Sequence, residues 1–266
     1  MLRRHERRAA WAFALLGWHQ VREQKLALLG QSALYVIVLA IFWQLWQATP
    51  LRELGAAGYS PQSLLWYLAI TEWIVFTVGA RYREIEAEVS SGTIESALLR
   101  PLPHAIATLA RWTGGCAYQL AVLGLVGFVT CWWLTGTPLP NMALAPVLIL
   151  SSALALALVL LCHLQLGYAA VWFGTAAPVF WVWQKLFFVF GGLLFPLSFY
   201  PHGLRLVAEN SPFAAMLFAP ASLVLADGGT AIGRLLAVQV AWLLILGTLT
   251  ILLSRRATAH VGYVGV

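Results

Sequence analysis

The chain has 266 residues, 61% of them hydrophobic and 10% charged, with a mean hydropathy of +0.81. Soluble domains carry about 25% charged residues, so this composition excludes an ordinary soluble fold and points to an integral membrane protein. A net charge of +6 then reads as an orientation signal for membrane insertion, with no nucleic-acid partner implied.

The opening, "MLRRHERRAAWAFALLGWHQVREQK", is basic but has no small-residue cleavage site behind a compact apolar core, so it does not read as a removable signal peptide. Within residues 5–26, Trp11, Ala14, Leu15 and Trp18 recur at helical spacing, while Arg8, His19, Gln20 and Glu23 take other positions. Such a helix can lie in the headgroup plane, or it can extend the first span beyond the bilayer. A membrane-spanning helix needs about 20 mostly apolar residues. Six stretches meet that need: residues 28–47, 61–80, 112–134, 143–170, 179–199 and 232–253.

An even number of spans puts both termini on one side. That side carries Arg3, Arg4, Arg7, Arg8, Arg22, Lys25, Arg81, Arg83, Arg100, Arg111, Arg255 and Arg256, whereas the other carries Arg52, Arg205 and Arg234. Lysines and arginines sort to the cytoplasm, which predicts cytoplasmic termini and a cytoplasmic loop between spans two and three. The loop, residues 84–102, contains "EIEAEVSSGTIESALLRPL". Ser91-Gly92 is a helix-starting signal, and Pro101 forbids much helix beyond Arg100. Between them Ile94, Ala97 and Leu98 share one face, while Glu95 lies early and Arg100 late, as the helix dipole favours. The expectation is a short amphipathic helix at the membrane surface that offers a face to a partner.

The fifth stretch ends in "FGGLLFPLSFYPHGLRLVAENSPFAAMLFAP", too broken by Gly and Pro to be one helix. Non-helical backbone at membrane depth is tolerated only where protein or a cavity shields it. Two short helices over residues 203–209 and 212–218 are predicted, within an external cap of residues 200–228. Phe195, Pro196, Pro201, Pro212 and Phe213 mark the candidate gate.

Catalytic and ligand-binding signatures are missing. A P-loop needs Lys followed by Ser or Thr, yet Lys25 and Lys185 are each followed by Leu, so any ATP must be hydrolysed by a partner. Cys116, Cys131 and Cys162 lie in apolar runs and read as buried thiols. Cys162 and His163 diverge by about 100° on a helix and make a poor chelate. No catalytic, cofactor-binding or metal-ligating residue is assigned, and the chain does not read as an enzyme. Polar groups inside spans remain. Glu72, in "LAITEWIVF", would cost about 2.5–3.5 kcal/mol at the bilayer centre unless it faces the bundle interior or a wet cavity. Lys185 is its natural partner, or snorkels to the surface. Glu72, Lys185 and Gln119 are the candidate substrate-pathway residues, and a proton- or ion-coupled carrier centred on Glu72 is the alternative function. Gln44, His163, Gln165, Gln184 and Gln239 are candidates for interhelical hydrogen bonds.

Two segments carry a resemblance: "GTIESALLRPL", residues 92–102, and "GGLLFPLSFYPHGLRLVAENSPFAAMLFAPASLVLADG", residues 191–228. The chain resembles the membrane subunits, or permeases, of ATP-binding-cassette transporters of the type-2 exporter class. More narrowly, it resembles the bacterial branch with a G-[T/L]-[I/L]-x-x-x-L-L-R-P-L segment after its second span. The order of Pro196, Pro201, Pro212-Phe213 and Pro220 matches the family's second element. The resemblance implies an all-α fold with an amphipathic connecting helix, six spans, a coupling helix between spans two and three, and re-entrant helices after span five. It also implies a separate ATPase subunit in two copies that binds ATP and magnesium, a second permease that is identical or a sibling chain, and a bacterial inner membrane. Glu84, Glu86, Glu88, Gly92, Ile94, Glu95, Ala97, Leu98, Arg100 and Pro101 would then form the ATPase-coupling surface.

Overall fold

In the computed structural model, residues 4–49, 59–98, 102–225 and 232–264 are described. The basic opening forms α1, Arg4–Glu23, and the first apolar stretch forms α2, Lys25–Ala48. Gln24 (φ −80°, ψ 51°) separates them, so α1 is a helix of its own. The second apolar stretch forms α3, Pro61–Val78. Its start is fixed by a reciprocal bond between Ser60 and Ser63 and by Pro61 in the first turn, where a missing N–H costs nothing. The chain then turns into α4, Tyr82–Ser90, and α5, Thr93–Leu98. Gly92, at φ +70°, makes the left-handed turn between those two helices.

Next comes α6, His104–Thr135, which starts well before the expected residue 112. Arg111 argues for a loop when only the sequence is considered, but ion pairs to Glu84 and Glu88 at 3.1 Å and 3.6 Å let it sit inside a helix. The early turns of α6 carry α1. An added Cβ at Gly17 would lie 1.9 Å from the Arg111 carbonyl oxygen, and one at Gly114 would lie 1.8 Å from that of Ala14. The two backbones touch, and only hydrogen fits between them.

After a 3₁₀ turn at Met142–Leu144 come α7, Ala145–Phe173, and α8, Ala177–Phe190; α9, His202–Glu209, α10, Pro212–Met216, and α11, Phe218–Ser222, lead to α12, Ile232–Val264. Among the described residues, five helical segments are long and apolar enough to cross a membrane: Lys25–Ala48, Pro61–Ser90, His104–Thr135, Met142–Phe173 and Ile232–His260. The fifth expected stretch, residues 179–199, holds a shorter apolar helix. There α8 has 14 residues, which at 1.5 Å each reach about 21 Å, short of a hydrocarbon core of about 30 Å.

α8 stops because Gly191 and Gly192 (φ +67°) turn the chain. The freed carbonyls find donors in the central helix: Tyr67 Oη donates to Gly192 O, and Thr71 Oγ1 to Leu193 O at 2.8 Å. Tyr200 Oη folds back to Val189 O at 2.7 Å. Irregular backbone is tolerated here because protein donors replace the missing helical bonds. Of the two short helices expected here, the first lies at α9, and Leu217 divides the expected 212–218 helix into α10 and the start of α11.

A buried and a partly buried glutamine hold α12 to the bundle. Gln239 is fully buried, accepts from Ser151 Oγ at 2.9 Å, and donates to Ser151 O at 3.0 Å and Ala215 O at 2.9 Å. Gln165 donates to Leu246 O and Thr250 Oγ1 at 3.0 Å and 2.8 Å.

Candidate functional site

α4 and α5 lie at the basic end of the bundle, and their position follows from one apolar face and three carboxylates. Ile85 is fully buried and packs on Gly167 of α7, where an added Cβ would lie 2.7 Å away. Ile94 is 2% exposed and joins the same core as Trp112, Tyr168 and Ala257. It therefore seats α5 on its own bundle. The helical spacing of Ile94 is legible in the sequence; the direction of the face is not.

The carboxylates brace α4 on three sides. Glu84 accepts from Trp112 Nε1 at 2.8 Å and pairs with Arg111 at 3.1 Å and Arg81 at 3.3 Å. Glu88 meets His104 Nε2 at 2.7 Å, and the other ring nitrogen of His104 lies 2.8 Å from Tyr168 Oη. His104 thus bridges the Glu88 carboxylate and the Tyr168 hydroxyl, which can donate or accept a hydrogen bond. Glu86 accepts from Thr175 Oγ1 at 2.6 Å and from Ala176 N at 2.9 Å. This is an N-cap supplied from another helix: the carboxylate satisfies a free N–H at the positive end of α8.

Arg81 extends the network, donating to Gln119 Oε1 at 2.7 Å, while Gln119 Nε2 donates to Gln31 Oε1 at 3.1 Å. One chain of polar contacts thus joins α2, α4 and α6, and Gln119 works as a link between helices. The outward surface of the unit is Ser91, Gly92, Thr93, Glu95 and Ser96, all exposed. Arg100 and Pro101 lie outside the described residues, as do the side chains of Ala97 and Leu98.

Glu72 and Lys185 are not brought together. Glu72 is 8% exposed, on α3, with no hydrogen bond or ion pair among the described residues. Lys185 is exposed on α8, its ammonium 5.4 Å from the centre of the Trp181 ring. Glu72 is buried on α3 and Lys185 is exposed on α8, a difference that depth along the sequence does not reveal. At the opposite end, Phe213 stacks on Phe190 with ring centres 6.4 Å apart, Phe199 stacks on Tyr59 at 5.9 Å, and Phe195 lies 6.0 Å from Phe199. Pro196 is buried, Pro212 half-buried and Pro201 exposed. Between these short helices and α12 lies a cavity of about 670 Å³ whose walls include Tyr59, Arg205, Glu209, Phe218, Arg234 and Trp242.

His104, Arg111, Trp112, Tyr168 and Thr175 do not stand out in the sequence as site residues. The available signal is a His directly after Pro-x-Pro and an Arg-Trp pair at the head of an apolar stretch, both facing a run of acids spaced at every second position.

The model of the family described as "ABC-2 family transporter protein" matches residues 33–260. No curated protein and no solved structure matches the chain.

Proposed function

Since the chain belongs to the ABC-2 family of transporter proteins, we propose that it is the permease of an ATP-driven exporter, coupled through α4 and α5 to a separate ATPase. The chain supplies the membrane pathway, and ATP and magnesium bind on the partner, present in two copies with a second permease that is identical or a sibling chain. The basic end, with Arg81, Arg83, Arg111, Arg255 and Arg256, faces the cytoplasm of a bacterial inner membrane by the rule that positive charge stays inside.

The observation that carries this reading is the construction of the α4–α5 unit. A surface that takes a push must be exposed at its tip and stiff behind it. Here Gly92, Thr93, Glu95 and Ser96 are exposed, while Ile94, Glu84, Glu86 and Glu88 fix the unit to α6, α7 and α8. Displacement of α5 would therefore reach the start of α8 through Glu86, and from there the broken segment at Gly191-Gly192. Glu84, Glu86 and Glu88 act as braces in this scheme, and Glu95 is the charged contact.

The test is co-purification of the tagged chain, co-expressed with its neighbouring reading frames. A P-loop ATPase is expected in stoichiometric amount, and Glu95→Lys is expected to lose it without changing the elution profile. A chain that brings down no ATPase under any condition overturns the proposal. The lone carboxylate of Glu72 supports a second reading, an ion-coupled carrier. Transport abolished by a proton ionophore at constant ATP would favour that reading.

A further inference from the structure

We infer that a crevice between the ends of α7 and α12 binds the head group of an anionic phospholipid. The crevice has a volume of about 550 Å³ and is lined by Trp172, Phe173, Leu253, Arg256, Ala259 and His260. It lies at the basic end, none of its lining residues belongs to α4 or α5, and the inference does not depend on the ATPase.

The lining has two halves. Leu253, Arg256 and His260 are spaced i, i+3 and i+7 along α12, so they form one stripe, apolar at Leu253, cationic at Arg256 and polar at His260. Opposite them, Phe173 is 69% exposed, and Trp172 packs its ring against His260 with centres 6.3 Å apart. Tryptophan and histidine rings beside an arginine, at the level where an apolar helix leaves the membrane, match the boundary between acyl chains and head groups. The occupant must be apolar below and negative above.

Charge decides between this crevice and the larger cavity at the other end. There an acid is part of the wall: Glu209 pairs with Arg205 at 2.6 Å, beside Arg234. Here no acidic side chain lines the crevice, residues 232–266 contain no Asp or Glu, and Arg256 makes no ion pair among the described residues. Basic crevices between membrane helices hold lipid phosphates in this way.

The full chain in mild detergent is mixed with micelles containing equal amounts of phosphatidylglycerol and phosphatidylcholine, and bound lipid is counted by native mass spectrometry. Phosphatidylglycerol is expected to be retained preferentially. Arg256→Gln is expected to lower its retention about fivefold, the worth of one basic side chain at a lipid surface, and Arg256→Lys to keep most of it. Ala259→Phe fills the crevice without altering charge and is expected to reduce retention as well. Arg255→Gln, on the neighbouring position outside the crevice, is expected to have a smaller effect than Arg256→Gln.

Equal retention in wild type, Arg256→Gln and Ala259→Phe overturns the inference. So does an equal loss in Arg255→Gln, which would mean diffuse attraction to charge. Displacement of the lipid by millimolar inorganic phosphate would make this a free-phosphate site and also overturn it. Loss of a co-purifying protein in Arg256→Gln with lipid retention unchanged would make the crevice a partner contact and would likewise overturn the inference.

Discussion

Glu86 shows how one carboxylate can belong to two helices. Its Oε1 accepts from both Thr175 and the backbone N–H of Ala176, so Glu86→Ala leaves the head of α8 uncapped. A lost cap costs about 1 kcal/mol, so the purified variant should melt earlier, while Glu86→Gln, which still offers an oxygen, should recover part of the loss. Identical melting of Glu86→Ala and wild type would contradict the capping role. Gln239→Leu is expected to be harsher. It leaves Ser151 and the Ala215 carbonyl without the partners seen at 2.9–3.0 Å, at about 1–3 kcal/mol for buried polar groups left unpaired. Thermal unfolding of the two variants side by side checks the order. From the sequence, Gln239 is legible as a link between helices. Glu84, Glu86 and Glu88 read as a surface, because a run of acids in a loop does not reveal that Arg111, His104 and Thr175 will fold back over it.

Among the helices, the sharpest constraint is the contact between α1 and α6. Gly17 and Gly114 meet backbone to backbone, so Gly114→Leu must push α1 away. Trypsin should then cleave at Arg7, Arg8 and Arg22 faster than in wild type, with the span helices still protected. Unchanged cleavage would mean that α1 is held by something else. Sequence periodicity locates α2, α3, α7 and α12 to within a few residues at most of their ends, because long apolar runs leave few alternatives in a bilayer. It cannot end α8 at Phe190. Apolar character continues through Leu193, Leu194 and Phe195, and the stop depends on Tyr67 and Thr71 of α3 supplying donors to the carbonyls that follow. Such a stop is a property of two segments together. Ile94 teaches the same lesson: an amphipathic face is visible in one segment, whereas what covers it is not. Ile94→Asp is accordingly expected to destabilise the fold near α5 and α12, lowering the melting temperature. Glu95→Lys, on the exposed rim, is expected to leave melting unchanged.

Among the described residues, the five long helices, the short α8 and the broken segment after it form a frame in which the basic end is braced and the opposite end is assembled from short pieces. Under the proposed coupling, ATP-driven movement would enter at α5, pass through the Glu84, Glu86 and Glu88 contacts, and reach α8 and the short helices after it. This depends on an ATPase seated against α5. All three native cysteines are buried and free, so an introduced thiol is the reactive one. Cysteine is placed at Glu95 on the basic end and, separately, at Leu204 on the opposite end, 41% exposed, and the co-expressed assembly is treated with a short thiol-to-amine cross-linker. Cross-linking from position 95 to a P-loop ATPase, altered by ATP and absent from position 204, is the expected result. An ATPase captured from neither position, or equally from both, would contradict coupling through α5.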